Sequence, residues 1–148
     1  MSKKFPLQVL QDLAQNRSDE ATRALGAVMS EEQAMQHKLD LLLKYREDYR
    51  EKFRAAIRTG MNQMGWRNYQ DFLDKLERAI DQQRAALAHS RHATSLAREE
   101  WRVRQSRLKA YDTLSERHQQ RAQKAEARRE QREQDEIAGM AHSRTVLG

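Results

Sequence analysis

Thr59 to Phe72 reads "TGMNQMGWRNYQDF" and decides how the chain is folded. It holds Gly60 and Gly65, two of the five glycines in 148 residues, with Trp66 directly after the second. Long stretches on both sides carry almost nothing that breaks a helix. Gly60 is placed to end a helix in a left-handed conformation, which glycine adopts without a Cβ penalty. The segment "MNQMG" then carries a reversal, and Gly65 releases the chain into a second helix with Asn68 or a neighbour as its cap. The competing reading is one long helix kinked at this point. Two glycines and an asparagine clustered where the periodicity lapses favour a turn.

Composition supports helices on both sides. Charged residues make up 34% and hydrophobic residues 38%, too few apolar side chains to fill a layered globular core. Alanine, leucine, glutamate, arginine, lysine and glutamine dominate, the strong helix formers. There is one proline and no cysteine, so neither a disulfide framework nor a thiolate metal site is available. No segment approaches the roughly 18 apolar residues of a membrane span. The start, "MSKKFPLQVLQDLAQ", lacks the apolar run of a signal peptide.

Upstream of the turn, a sevenfold step from Leu7 meets Ala14, Ala21, Val28, Met35, Leu42, Tyr49 and Ala56, every one apolar or aromatic. A second, patchier row is Leu10, Arg17, Ala24, Glu31, Lys38, Tyr45 and Lys52, with Leu25, Leu39 and Phe53 widening the stripe. Pro6 suits a first helical turn. Gly26 sits mid-arm, where it either permits close helix approach or simply costs about 1 kcal/mol. Downstream, Leu73, Ile80, Leu87, Thr94, Trp101 and Leu108 step by seven. Beside them run Tyr69, Leu76, Gln83, Ser90, Ala97, Arg104 and Tyr111, giving a 4-3 seam to about Leu114. Ala79, Ala86 and Ala93 lie along its edge.

Two helices with one apolar stripe each bury those stripes against each other. The expected fold is all-α: an antiparallel two-helix coiled-coil hairpin, a long rod whose second helix is longer than the first. As a single domain over 1–148, helix 1 spans about 6–58, the turn about 59–67, helix 2 about 68–136 and a flexible tail about 137–148. "SERHQQRAQKAEARREQREQDE" has helix propensity and salt-bridge spacing but no stripe to bury, so alone it frays.

Such a form is convex and offers no catalytic pocket. No Gly-rich phosphate loop, dinucleotide fingerprint or nucleophile elbow is present. His89 and His92 could share a helix face, but two histidines without a third ligand read as surface residues. Carboxylates alternate with arginine, so no isolated pair is set up for acid–base work. The net charge of +6 would attract nucleic acid or an acidic protein. Basic residues gather at Arg102, Arg104, Arg107 and Lys109 and again from Arg117 to Arg132, but glutamates dilute both groups and no nucleic-acid-reading motif accompanies them. The basic segment lacks the apolar face of a membrane-surface helix. Leu42, Tyr45, Tyr49 and Phe53 on one arm and Trp66, Tyr69, Phe72 and Leu76 on the other bring most of the aromatics to the turn. Either they thicken the core there, or some stay exposed as binding anchors; two helices cannot enclose so many rings.

These residues also carry a resemblance. "FPLQVLQDLA", "LLLKYREDYR", "WRNYQDFLDKLERAIDQ" and "EEWRVRQSRLKAYDTL", with the length, charge and two-arm layout, resemble the FliJ family of flagellar export proteins over nearly the whole chain. The resemblance implies an antiparallel two-helix coiled coil similar to the stalk of rotary ATPases, without enzymatic activity or cofactors. It implies a cytoplasmic component of the flagellar type III export apparatus, peripherally associated with the inner membrane at the flagellar base. The implied partners are the hexameric export ATPase FliI, the linker of the export gate protein FlhA, and flagellar export chaperones, with no nucleic acid and no direct membrane insertion. The family's gate contacts map onto Leu42, Tyr45, Tyr49, Phe72, Leu76 and Ala79. Lys38 stands where the family has glutamine and Gln83 where it has histidine. Terminal residues of the family enter the ATPase ring, and Leu7, Leu10, Leu13, Arg117, Arg121 and Arg128 are the residues here assigned to that contact. Two readings of other classes stand beside this one: a nucleic-acid-binding coiled coil, and a self-associating structural spacer.

Overall fold

In a computed structural model, residues 4–147 are described; Lys3, part of the N-terminal stretch read for a signal peptide, and Gly148 lie outside them. The described chain is all-α. Helix α1 spans Gln8–Thr59 and helix α2, the longer one, Gln63–Leu147. Contacts divide the chain into two compact units, Glu20–Arg102 and Met1–Asp19 with Val103–Gly148.

The unit Glu20–Arg102 contains the turn. Gly60 adopts φ +98°, its N–H donates to the Ile57 carbonyl at 3.1 Å, and α1 ends there as the sequence predicts. The reversal is tighter than expected, because only Gly60, Met61 and Asn62 separate the helices. The cap is Asn62 and not Asn68: its side-chain oxygen accepts the Gly65 N–H at 2.8 Å, satisfying a donor that the first turn of a helix leaves without an intrahelical partner. Gly65 therefore lies inside α2.

From this turn the two helices run antiparallel. Trp101 donates to Thr22 at 3.0 Å, Arg91 to Gln36 at 3.0 Å, and Arg46 pairs with Glu77 at 3.1 Å. The core is Leu39, Leu76, Ile80 and Leu87, with Met35, Leu42 and Leu43 packed against it; Ile80 is fully buried. On α2 both expected rows are buried or half-buried throughout.

On α1 the row from Leu7 is likewise covered, but the second row is not the expected one. Leu10, Arg17, Ala24, Glu31, Lys38, Tyr45 and Lys52 are all exposed. The seam row is one residue further on: Gln11, Ser18, Leu25, Glu32, Leu39, Arg46 and Phe53 are all buried or half-buried. Each alternative offers three apolar or aromatic members, but the buried row has Leu25, Leu39 and Phe53 where the exposed one has Leu10, Ala24 and Tyr45, and is the more hydrophobic of the two. Of the polar members of the true row, Gln11 and Arg46 bond across the seam. Arg46 and Arg50 share Glu77 at 3.1 and 3.3 Å.

Buried polar groups of α2 are satisfied in the same way. Gln83 donates to the Met35 carbonyl at 2.9 Å, and Thr94 donates to the carbonyls of Ser90 at 3.1 Å and Val28 at 3.4 Å. Among the described residues, no buried side-chain nitrogen or oxygen lacks a partner. Leaving such a group unmatched costs about 1–3 kcal/mol, so the bonds that cross between the helices, Gln83 to Met35 and Thr94 to Val28, also penalise a shifted register.

The unit formed by the chain ends pairs Gln11 with Asp112 at 2.8 Å and sets Phe5 against His118, the rings tilted and their centroids 5.7 Å apart. Ser18 and Leu108 are buried within it. The seam closes at His118, beyond the expected Leu114, which is exposed. From residue 119 through 146 every residue is exposed, since α1 starts at Gln8 and no described residue faces α2 further on. The helix continues past Glu136, the expected end of helix 2, through Leu147. Gly139 does not end it, and "AEARREQREQ" supplies strong helix formers throughout.

Two measurements check these assignments. Leu87→Asp places a charge at a seam position and is expected to destabilise the fold by at least about 3 kcal/mol in chemical denaturation. Glycine-to-alanine changes should have opposite signs at two sites. No described atom lies within 4 Å of a Cβ placed on Gly26, so Gly26→Ala gains roughly 1 kcal/mol, whereas Gly60→Ala, at φ +98°, loses roughly 1–3 kcal/mol.

Candidate functional site

Near the turn, five rings form a continuous ladder that alternates between the helices. Trp66 lies against Phe53 with centroids at 5.1 Å, Phe53 stacks on Tyr69 at 3.5 Å, Tyr69 stacks on Tyr49 at 5.0 Å, and Tyr49 meets Phe72 at 4.4 Å. Tyr69, at the centre, is buried. The ends of the ladder are open: Trp66 is 47% and Phe72 42% exposed. This is the physical result of the ring count. Two helices cover the middle of such a row and leave its ends in water.

The residues assigned to this surface separate by position in the 4-3 repeat. Leu42, Tyr45 and Tyr49 share a face of α1, and Phe72, Leu76 and Ala79 a face of α2, at spacings of three and four. Leu76 is buried in the core, and Leu42, Tyr49 and Ala79 are half-buried against the seam. Tyr45 is 65% exposed and stands clear of the seam. The accessible part of the set is therefore Tyr45, Phe72 and the outer edge of Tyr49, with Leu76 holding Phe72's helix in place from below. Lys38 is exposed, while Gln83 is a seam residue bonded to Met35.

Sequence reasoning missed Leu41, which is 50% exposed one turn from Tyr45 and extends the same apolar face. A signal existed: three consecutive leucines, Leu41 to Leu43, cannot all face one narrow seam. Met64 and Ile57 are also exposed near the turn.

The second surface belongs to the unit of the chain ends. Leu10, Leu13 and Ala14 of α1 and Arg17, Arg104, Arg107 and Tyr111 line a cleft of about 270 Å³. Leu10 and Leu13 are each 43% exposed, so they do not pack on the second arm as fully as Leu7, which is half-buried. A neighbouring cleft of about 310 Å³ is lined by Phe5, Pro6, Leu7, Leu114, Arg117, His118 and Arg121. The six residues assigned to ring contact are thus divided between two clefts and the open helix beyond them, where Arg128 lies. Arg117, Arg121, Lys124 and Arg128 recur at steps of four, three and four, which aligns them in one exposed basic stripe.

Among the described residues no cluster of three histidine, aspartate or glutamate side chains could hold a metal, and His89 and His92 are exposed. Arg102 holds the Glu99 carboxyl below its ordinary pKa, through a hydrogen bond and its charge, but both groups are fully exposed, as in any surface pair at this spacing. No helix among the described residues is long and apolar enough to cross a membrane. What the two surfaces expose is apolar: aromatic rings at one, leucines rimmed by arginine at the other.

Comparison with known proteins follows the same outline. The sequence model of the family described as flagellar FliJ protein matches residues 2–146. The flagellar FliJ protein of Salmonella typhi is 35% identical over 144 residues, covering 97% of this chain and 98% of that protein. Its counterpart from Escherichia coli strain K12 is 34% identical over the same span and coverage.

The position of the rings predicts their effect on stability. Tyr45→Ala should leave the thermal melt unchanged within about 0.5 kcal/mol, whereas Tyr69→Ala removes the buried centre of the ladder and costs roughly 3 kcal/mol or more. Circular dichroism melts of the two variants distinguish an exposed anchor from a core ring.

Proposed function

The chain belongs to the FliJ family of flagellar proteins, and from that premise we propose that this flagellar export component is a non-enzymatic, stalk-like adaptor. Its turn-proximal surface engages the linker of the export gate protein FlhA through Tyr45, Tyr49 and Phe72. The surface of its chain ends engages the hexameric export ATPase FliI, promoting ring assembly and hydrolysis. It also escorts export chaperones, and it works in the cytoplasm at the flagellar base, peripheral to the inner membrane.

The observation that supports this reading best is the half-open ring ladder. Large rings left partly in water beside a rigid, preordered two-helix scaffold are the chemistry of binding anchors: they bury much area on contact and lose little side-chain entropy. Leu41 belongs to the same surface. For the ATPase contact, the support is the pairing of exposed leucines with a basic stripe on a slender element. Such a surface can enter a ring and bind its wall through many weak contacts, each worth little alone.

Two experiments test the proposal. The double variant Tyr45→Ala with Phe72→Ala should lower affinity for the FlhA linker by at least about tenfold in calorimetry while helix content stays intact. Unaltered binding in a folded protein rejects the gate surface. Truncation after His118 keeps the Phe5–His118 closure of the seam and should sharply reduce stimulation of FliI hydrolysis; full stimulation by the truncated chain rejects the ring assignment.

A further inference from the structure

The turn end of the unit Glu20–Arg102 joins one sign of charge to exposed apolar side chains. We infer that it adsorbs to an anionic lipid surface, its side chains entering the headgroup layer and no backbone crossing the bilayer. Residues 52–70 are the longest stretch of the sequence without a carboxylate. They carry Lys52, Arg54, Arg58 and Arg67, all exposed. Of these, Arg54 is paired, with Glu51 at the border of the stretch, at 2.7 Å. Ile57, Met64 and Trp66 stand among the cations; Met64 is 72% exposed, and Trp66 rests one side of its ring on Phe53. None of these side chains is assigned to the gate or the ATPase contact above.

The arrangement of the apolar residues favours a bilayer over a protein. Met64 and Trp66 are two residues apart on α2, about 200° around its axis, and Ile57 belongs to α1. No single flat face or groove meets all three. All three nevertheless lie within two turns of Gly60, and in the first turns of α2 the side chains lean toward the helix N-terminus, which is the turn itself. A fluid headgroup layer closes around such an end. There a tryptophan keeps its ring in an apolar setting and its N–H hydrated. Lysine and arginine lay their stems along the apolar side chains and hold their charges at the lipid phosphates. Each cation near an anionic surface strengthens binding roughly fivefold, and the apolar area adds to it. The basic stripe of α2 beyond His118 has the charge without exposed rings. The inference does not rest on the export reading, because bare lipid is the whole of the partner.

Sedimentation of the full chain with vesicles tests it. The wild type should bind phosphatidylcholine vesicles containing a third phosphatidylglycerol at roughly 0.1–1 mM accessible lipid, release as salt rises, and bind pure phosphatidylcholine at least about tenfold more weakly. Arg58→Glu with Arg67→Glu, and separately Met64→Ser with Trp66→Ser, should each weaken binding to the anionic vesicles by at least about tenfold. Circular dichroism verifies that both variants are helical. As a second measurement, Trp101→Phe leaves Trp66 as the one tryptophan, and its emission should move to shorter wavelength when anionic vesicles are added. Tyr45→Ala with Phe72→Ala should bind vesicles as the wild type does, so the lipid contact and the gate contact stand or fall separately. No binding at about 5 mM anionic lipid, or equal binding to neutral vesicles, overturns the inference. So does binding that persists in both variants at the turn, which belongs to the basic stripe of α2. Binding to polyglutamate without binding to vesicles overturns it in favour of an acidic protein.

Discussion

A helix with one apolar stripe cannot leave that stripe in water and remain stable. In this chain the constraint is acute, because charged residues crowd every other face and there is little apolar surface to spare. Each helix has only the other to pack against. The reversal at Gly60 makes that pairing local, so the entropy lost in bringing the two stripes together is small. Burial of Ile80, Leu87, Leu39 and Leu76, the alternation of rings near the turn, and the termination of the seam at His118 all follow from it.

The seam is narrow, and its narrowness leaves apolar side chains at the surface. A two-helix interface covers rows at spacings of four and three and nothing else. Tyr69 falls on such a row and is buried; Tyr45 and Leu41 fall off it and are exposed. A larger bundle would have absorbed these side chains into its core. Here the same apolar residues that would stabilise a globular protein remain on the surface.

Polar residues in the seam supply what apolar pairing lacks, a fixed register. Leucine rows tolerate sliding. Gln83 on the Met35 carbonyl, Trp101 on Thr22, Gln11 on Asp112 and the two arginines on Glu77 each match in one alignment and are left unmatched in others. The half-exposed ion pairs add little energy on their own. Their role is to make the wrong alignments worse.

By itself, the sequence determined that the chain is helical, that it doubles back at Gly60, that α2 is longer than α1, and which two rows of α2 face inward. Each of these is written in local chemistry or in a strong period. Tertiary structure settled the second row of α1: Leu25, Leu39 and Phe53 outweigh Leu10, Ala24 and Tyr45 in hydrophobicity, yet steps of three and of four from Leu7 are equally regular in a 4-3 repeat, and the facing helix, with partners for Gln11 and Arg46, takes the step of four. The same decision sorted the candidate site, turning Leu76 into core and leaving Tyr45 and Leu41 in solvent. It also moved the cap of α2 to Asn62, since which asparagine caps depends on where the backbone first becomes free to turn. A one-residue shift on a helix is a rotation of about 100°, and a sequence states its period more firmly than its phase.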